Sequence, residues 1–381
     1  MIRTALTNGR LLTGEGIVSG QTLLLAGARI EALVDPKDSR CLGSEVVDLG
    51  GQLLLPGFID VQVNGGGGVL FNDDPSPESI RAIGAAHRRF GTTGFLPTLI
   101  SDDLDTIERA ITAAQTCLDT GMPGVLGIHI EGPFLNLARR GVHDPKHLRP
   151  LDDSLVSLLC RLRDGRTVLT LAPEMTTPDI IAQLAAGGIL VSAGHSEATF
   201  AQTAEAIGRG LRGFTHLFNG MARLDPRAPG IVGAALYDPD TWCGIIVDGH
   251  HVDPIMLQLA LRCKRHERFM LVTDAMPTVG SANSSFVLQG RTISVVDGIC
   301  RDENGTLAGT ALDMAGAVRN AVSLLGLDIA EAARMAGQYP AEFLGLGHEL
   351  GRIAPGYLAN LVLMNDELKV QRTWIEGQSS V

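Results

Sequence analysis

From Phe58 onward the chain alternates, eight times, between short apolar runs of buried-strand type and longer stretches of amphipathic helical period. The runs are Phe58 to Val63, Gly94 to Ile100, Val125 to Glu131, Thr167 to Ala172, Ile189 to His195, Gly213 to Leu217, Gly244 to Asp248 and Met270 to Asp274. Between most of them lie helical stretches: Ser79 to Phe90, Leu104 to Leu118, Leu155 to Arg163, Ala198 to Gly208 and Pro254 to Arg265. Asp, Ser or Pro stands near their starts, as helix N-termini favour. Eight β/α units over this length predict an α/β fold, a TIM-type (β/α)8 barrel whose functional residues sit at the C-terminal strand ends. A doubly wound sheet is the weaker alternative, because no G-x-G-x-x-G follows the first run.

Both flanks of this region read differently. Between Ile2 and about Leu55, short β-type pieces (Gln21 to Ala26, Arg29 to Val34, Val46 to Leu49, Leu53 to Leu55) are separated by Gly and Asp turns, and Pro56-Gly57 ends the pattern. After Asp274 a β-insertion near residues 281–305 is expected from Ser285 to Leu288, Thr292 to Val296 and Ile299 to Arg301, with turns at Gly290 and Asp297-Gly298. Helices follow from Asp313 to Leu325 and Ile329 to Met335. The last β-type pieces, Leu361 to Met364 and Val370 to Ile375, are expected to pair with the N-terminal strands. The predicted organisation is a barrel over residues 56–351 and a small β-sandwich built from residues 1–55 and 352–381.

Charge and cysteine usage narrow the partners. A formal net charge of -11 disfavours nucleic acid and anionic membrane, so an anionic substrate has to be held by a few placed cations. The six cysteines lie far apart without C-x-x-C spacing, against a disulfide framework or a thiolate zinc site, and a reducing cytoplasm fits. No signal core opens the chain, and no apolar run approaches the roughly eighteen residues of a membrane span.

The strand tips carry the chemistry. In Gly127-Ile128-His129-Ile130-Glu131-Gly132-Pro133-Phe134, the period of two puts His129 and Glu131 on one face and the isoleucines on the other, and Gly-Pro stops the strand just after the carboxylate. Glu131 could cap the loop that follows or bind a metal. His195 and His216, at the ends of the fifth and sixth runs, favour the metal: two imidazoles and a carboxylate leave a fourth position open for water, the layout of a catalytic zinc. Asp274, ending the eighth run, is either a turn aspartate or the general base that takes a proton from that water and returns it to a leaving amine.

With these residues in place the chain resembles the amidohydrolase superfamily, and within it the family of N-acetylglucosamine-6-phosphate deacetylases. The resemblance runs through Pro56-Gly57-Phe58-Ile59-Asp60, His129 to Phe134, Gly194-His195-Ser196-Glu197-Ala198-Thr199, Thr215-His216-Leu217-Phe218-Asn219, Val247-Asp248-Gly249-His250-His251, Thr273-Asp274-Ala275-Met276 and Leu307-Ala308-Gly309-Thr310-Ala311. One departure from the wider superfamily is informative. Where many members have His-x-His on the first strand and a carboxylated lysine on the fourth, this chain reads Gln62-Val63-Asn64 and Ala172-Pro173-Glu174. Amides are poor ligands beside imidazole, so one divalent metal per chain is expected on Glu131, His195 and His216: zinc, with iron or another divalent ion as the alternative.

The resemblance also implies a substrate site. It gives Val142 and His143 to the sugar and its acetyl group, with His143 as a catalytic partner of Asp274 that polarises the carbonyl. It brings in Asn219 and Gly220, gives the phosphate to Arg227 assisted by His251, adds Asp248, and lines the sugar pocket with Leu307, Ala308 and Gly309. A homodimer or dimer-based oligomer is implied, with the phosphate site completed across the interface. The expected reaction is hydrolysis of N-acetyl-D-glucosamine 6-phosphate to D-glucosamine 6-phosphate and acetate. Its rivals are a deacetylase of N-acetylgalactosamine 6-phosphate or another N-acyl amino sugar, and a non-catalytic barrel used as a binding module. A cyclic-amide hydrolase of the dihydroorotase kind is disfavoured by the missing His-x-His and lysine.

Overall fold

A computed structural model of the chain describes residues 3–380; Met1, Ile2 and Val381, which the expected terminal domain includes, lie outside the described residues. Eight parallel strands follow one another around a single sheet in chain order: Phe58–Val63, Thr92–Ile100, Gly127–Glu131, Arg166–Leu171, Leu190–Ala193, Gly213–Phe214, Trp242–Ile245 and Phe269–Leu271. The circle closes where Val63 bridges Ala275, the Asp274 N–H donates to the Gln62 carbonyl at 3.0 Å, and the Asn64 N–H donates to that of Ala275 at 2.9 Å. Helices cover the outside. Ile128 and Ile130 of the third strand belong to the main apolar core, while His129, between them, points into the barrel as its period of two requires.

That inward histidine is fully bonded. Its Nδ1 meets the Val61 carbonyl at 2.9 Å and its Nε2 meets Thr170 Oγ1 at 2.7 Å, which in turn lies 2.6 Å from Thr215 Oγ1. Burial pushes the His129 imidazole down to about 4, so it is neutral, and the chain of bonds ties the first, third, fourth and sixth strands together one layer below the functional rim.

The later strands are shorter than the apolar runs suggest. His195, His216, Asp248 and Asp274 all lie beyond the last residue of their strands. His195, His216 and Asp274 have φ of 49°, 33° and 51°, in the left-handed region where a strand ladder cannot continue. Hydropathy carries no trace of such a turn. Helices Pro178–Ala186 and Gly230–Tyr237 complete the alternation where the sequence reading was silent. The second is apolar around nearly its whole circumference and has no side-chain cap, so no amphipathic period marks it.

The terminal segments combine as expected. One six-stranded sheet joins Leu361–Met364, Val370–Ile375 and Gln378–Ser380 to Leu53–Pro56, Arg10–Thr13 and Gly16–Ser19, with Leu361–Met364 antiparallel to Leu53–Pro56. A second sheet of four strands is wholly N-terminal, and Leu6, Leu11, Leu23, Leu54, Leu361 and Trp374 fill a core of their own. The β-insertion gains a fourth strand, Leu307–Thr310, which returns to the barrel: the Met276 N–H donates to Thr310 and the Thr310 N–H to Asp274, each at 2.9 Å. The insertion therefore grows out of the tip of the eighth strand.

Gly127 opens the strand that delivers Glu131, with φ of 149° and the Arg166 carbonyl only 1.9 Å from where a Cβ would sit. Gly127→Ala is therefore expected to displace backbone and cost more than about 2 kcal/mol, visible as a large fall in Tm. Gly121→Ala, at φ of 63° in open space, is expected to cost only about 1 kcal/mol. Equal Tm values for the two variants would contradict this account.

Candidate metal and hydrolytic site

Glu131, the last residue of the third strand, meets two imidazoles from the loops that follow the fifth and sixth strands. Its Oε1 lies 3.1 Å from His195 Nε2 and 2.9 Å from His216 Nε2, and the two Nε2 atoms lie 3.0 Å apart. All three side chains are buried. His195 Nδ1–H donates to the Arg139 carbonyl at 2.8 Å, which leaves Nε2 as a bare lone pair aimed at a carboxylate. Such a meeting of acceptors is repulsive unless something positive lies among them. Burial alone would push the Glu131 carboxyl up, but its bonds to the two imidazoles hold it well below the usual carboxylate range. For His216, burial pushes down, yet the Glu131 carboxylate beside it wins and raises it. The three donor atoms thus favour a positive charge among them, and the donor set fits a three-ligand metal site.

Asp274 stands beside this group. Its Oδ1 accepts from Asn64 Nδ2 at 2.6 Å and from Gln62 Nε2 at 3.3 Å, and the same Gln62 amide reaches Glu131 Oε2 at 3.1 Å. The two amides that replace His-x-His are hydrogen-bond donors to the carboxylates. Both of their bonds to Asp274 fall on Oδ1. Burial, reinforced by the nearby Glu131 charge, pushes Asp274 up to about 6. Glu174, at the position of the absent lysine, accepts from Asn136 Nδ2 (2.9 Å), Ser196 Oγ (2.7 Å) and the Glu197 N–H (2.6 Å), and so anchors the loop that carries His195.

A cleft opens above these residues, lined by Val142, His143, Asn219, Gly220, His251, Leu307 and Gly309 together with Glu131, His195, His216 and Asp274. His143 turns its Nδ1 to Ser101 and packs edge-on against His195 with ring centroids 4.6 Å apart. Burial above all pushes it down to about 3, so it is neutral. His251 Nδ1 donates to Asp248 Oδ2 at 2.6 Å, and Asp248 takes two backbone N–H groups on Oδ1. Burial would raise Asp248, but His251 and those N–H groups bring it to about 2, an ionised support that turns His251 toward the cleft.

Three of the expected substrate residues do not line the cleft, and Asp248, behind His251, is the first of them. Ala308 is buried beneath the cleft in the apolar cluster of the insertion, and Arg227 is exposed in the loop from Asp225 to Gly230, outside the cleft of the single chain. Gln62 and Asn64, which the sequence marks only as amides in place of His-x-His, prove to be donors to the carboxylates of the site, whereas nothing in the sequence singles out Ser101 and Gln289. Counting by twos from Asp60 puts Gln62 and Asn64 on the inner face, which is the signal that could have found them.

The sequence matches the amidohydrolase family over residues 53–379. It is 46% identical over 332 residues to the N-acetylgalactosamine-6-phosphate deacetylase of Shewanella sp. (strain ANA-3), covering 85% of this chain and 82% of that one. It is 34% identical over 380 residues to the N-acetylglucosamine-6-phosphate deacetylase of Haemophilus influenzae, covering 99% of each. The crystal structure of N-acetylglucosamine-6-phosphate deacetylase from Pasteurella multocida superposes with a TM-score of 0.96 at 36% identity over 100% of both chains.

Glu131→Gln removes the negative ligand while keeping the shape of the side chain. Elemental analysis is expected to find about one divalent metal per wild-type chain and less than about a tenth of that in the variant. Occupancy should also fall as the pH is lowered, because protons compete with the cation for the imidazole and carboxylate lone pairs. Two stoichiometric metals per chain, or full occupancy in Glu131→Gln, would refute the ligand assignment.

Proposed function

We propose that this chain, which belongs to the amidohydrolase family, removes the acetyl group from N-acetyl-D-glucosamine 6-phosphate to give D-glucosamine 6-phosphate and acetate. The observation that carries the proposal is the convergence of Glu131, His195 and His216 beside an Asp274 that two amides hold by a single oxygen. Relatives that span 97% or more of this chain are named as deacetylases of one or other 6-phosphorylated N-acetylhexosamine. A full ligand set and an intact acid–base residue speak for an enzyme over a barrel retained as a binding module.

The chain's own groups divide the work. Glu131, His195 and His216 would hold one divalent ion, zinc by the chemistry of the donors, which when bound supplies Lewis acidity to water and to the acyl oxygen. Gln62 and Asn64 keep Asp274 turned so that Oδ2 takes the proton from the attacking water and delivers it to the departing amine. His143 donates a hydrogen bond to the acyl oxygen as charge develops there. His251, oriented by Asp248, lines the cleft where it would assist at the phosphate, and Leu307 and Gly309 wall the sugar. Arg227, exposed and not among the residues lining its own chain's cleft, is proposed to reach the phosphate of a partner's substrate in a homodimer. A reducing cytoplasm is the compartment that suits the six free cysteines; no helix among the described residues is long and apolar enough to cross a membrane.

A second reading has its own support. The 46% identical relative is named as acting on N-acetylgalactosamine 6-phosphate, which differs from the gluco substrate in one hydroxyl configuration. Comparing kcat/KM for the two epimers by acetate release decides between them. With the preferred epimer, Asp274→Asn is expected to keep its metal while kcat drops about 10²–10⁴-fold. Arg227→Ala should raise KM about tenfold with little change in kcat. Asp274 must be ionised to act as base, so kcat/KM should fall as the pH drops through about 6 or lower, a bound cation pulling the midpoint down. Near-normal turnover in Asp274→Asn would remove it from the reaction.

A further inference from the structure

Ser101 and Gln289 belong to neither the ligand set nor the acid–base pair, yet both converge on His143. Ser101 directly follows the second barrel strand and is buried. Its hydroxyl lies 2.7 Å from His143 Nδ1, and its backbone N–H donates to the same nitrogen at 3.3 Å. A backbone N–H can only donate, so Nδ1 is the accepting edge of the ring and the proton resides on Nε2. The two ring nitrogens lie on opposite edges. With Nδ1 held against the barrel wall, Nε2–H is the edge left for the cleft that His143 lines.

Gln289 reaches the same place from the insertion. Leu288 pairs with Arg291, which leaves Gln289 and Gly290 as a two-residue hairpin turn with φ of 48° and 81°. Asn, Asp or Gly suits both central positions of such a turn, and Gln does not. The hairpin itself gains nothing from it. The side chain supplies the reason: Gln289 Oε1 accepts the Asp144 N–H at 2.7 Å, and Gln289 Nε2 donates to the Ser101 carbonyl at 2.8 Å. The amide's orientation is unambiguous, since one backbone partner can only donate and the other can only accept. One side chain therefore fastens the residue after His143 to the residue that pins its ring. Beneath it, Leu288 and Ile293 of the insertion share an apolar cluster with Ile100 and Val142, the neighbours of Ser101 and His143.

We infer that Ser101 and Gln289 are positioning residues that hold His143 as its Nε2–H tautomer, aimed into the cleft as a donor to the substrate's acyl oxygen. Only the last clause rests on the proposed amide hydrolysis; the tautomer and its two supports do not. The test joins nitrogen NMR with kinetics on the metal-loaded, full-length protein. With ¹⁵N-labelled histidine, and the His143 signals assigned through His143→Gln, wild type should show Nε2 protonated and Nδ1 bare. Ser101→Ala and Gln289→Asn should each shift those signals and lower kcat about tenfold while KM changes less than about threefold, as expected when a donor to the transition state is misaligned. Gln289→Asn should also keep or raise Tm, because Asn relieves the turn while its shorter side chain cannot span both partners. An Nδ1-protonated His143 in wild type would overturn the inference, as would wild-type kcat in Gln289→Asn. Should wild type release no acetate from either epimer, the functional reading falls, and the ring's protonation still decides whether Ser101 and Gln289 fix the tautomer.

Discussion

Three lone-pair-bearing atoms, Glu131 Oε1, His195 Nε2 and His216 Nε2, are forced to within 3.1 Å of one another in a buried site. Left uncompensated, that crowding would be among the most expensive features of the molecule, since burial amplifies electrostatic repulsion and removes the water that would screen it. Much of the surrounding structure acts to maintain it. The left-handed backbone at His195 and His216 costs about 1–3 kcal/mol at each residue and is sustained by what packs behind it. Arg139 fixes one tautomer through its carbonyl, Glu174 anchors the loop beside His195, and the His129–Thr170–Thr215 chain braces the layer below.

The same crowding explains the amides on the first strand. Asp274 sits close enough to feel the Glu131 charge, and its own ionisation is opposed by burial. Gln62 and Asn64 donate into both carboxylates and so offset part of that opposition without adding a charge. Imidazoles there could bind a second ion; neutral donors instead steady the two carboxylates. Glu174 reinforces the difference, because its oxygens are engaged by Asn136, Ser196 and Glu197.

The barrel was legible because a parallel strand buried on both faces writes an uninterrupted apolar run, and all eight runs reappear as strands. Glu131 was legible for a second reason: Gly132-Pro133 marks a strand end independently of hydropathy. What hydropathy cannot mark is backbone handedness, so the positions of His195, His216 and Asp274 beyond their strands emerged only with the fold. Helix Gly230–Tyr237 escaped because a helix wrapped in apolar neighbours has no polar face to generate a period. Ser101 and Gln289 are 188 positions apart in the sequence and meet where a side-chain amide donates to a backbone carbonyl, a partner no residue letter encodes.

The pairing of Leu53–Pro56 with Leu361–Met364 has a consequence for the order in which the molecule matures. Phe58–Val63, which carries Gln62 toward the site, begins two residues after the first of these strands ends. On a ribosome the N-terminal segment must wait for some three hundred residues of synthesis before its antiparallel neighbour exists, and contacts so distant in sequence form slowly. The first barrel strand also lacks its closing partner, Ala275, until the eighth has been made. The strand that supplies the amides for Asp274 is thus among the first to be synthesised and among the last to be locked, which keeps the hydrolytic site incomplete until nearly the whole chain has emerged.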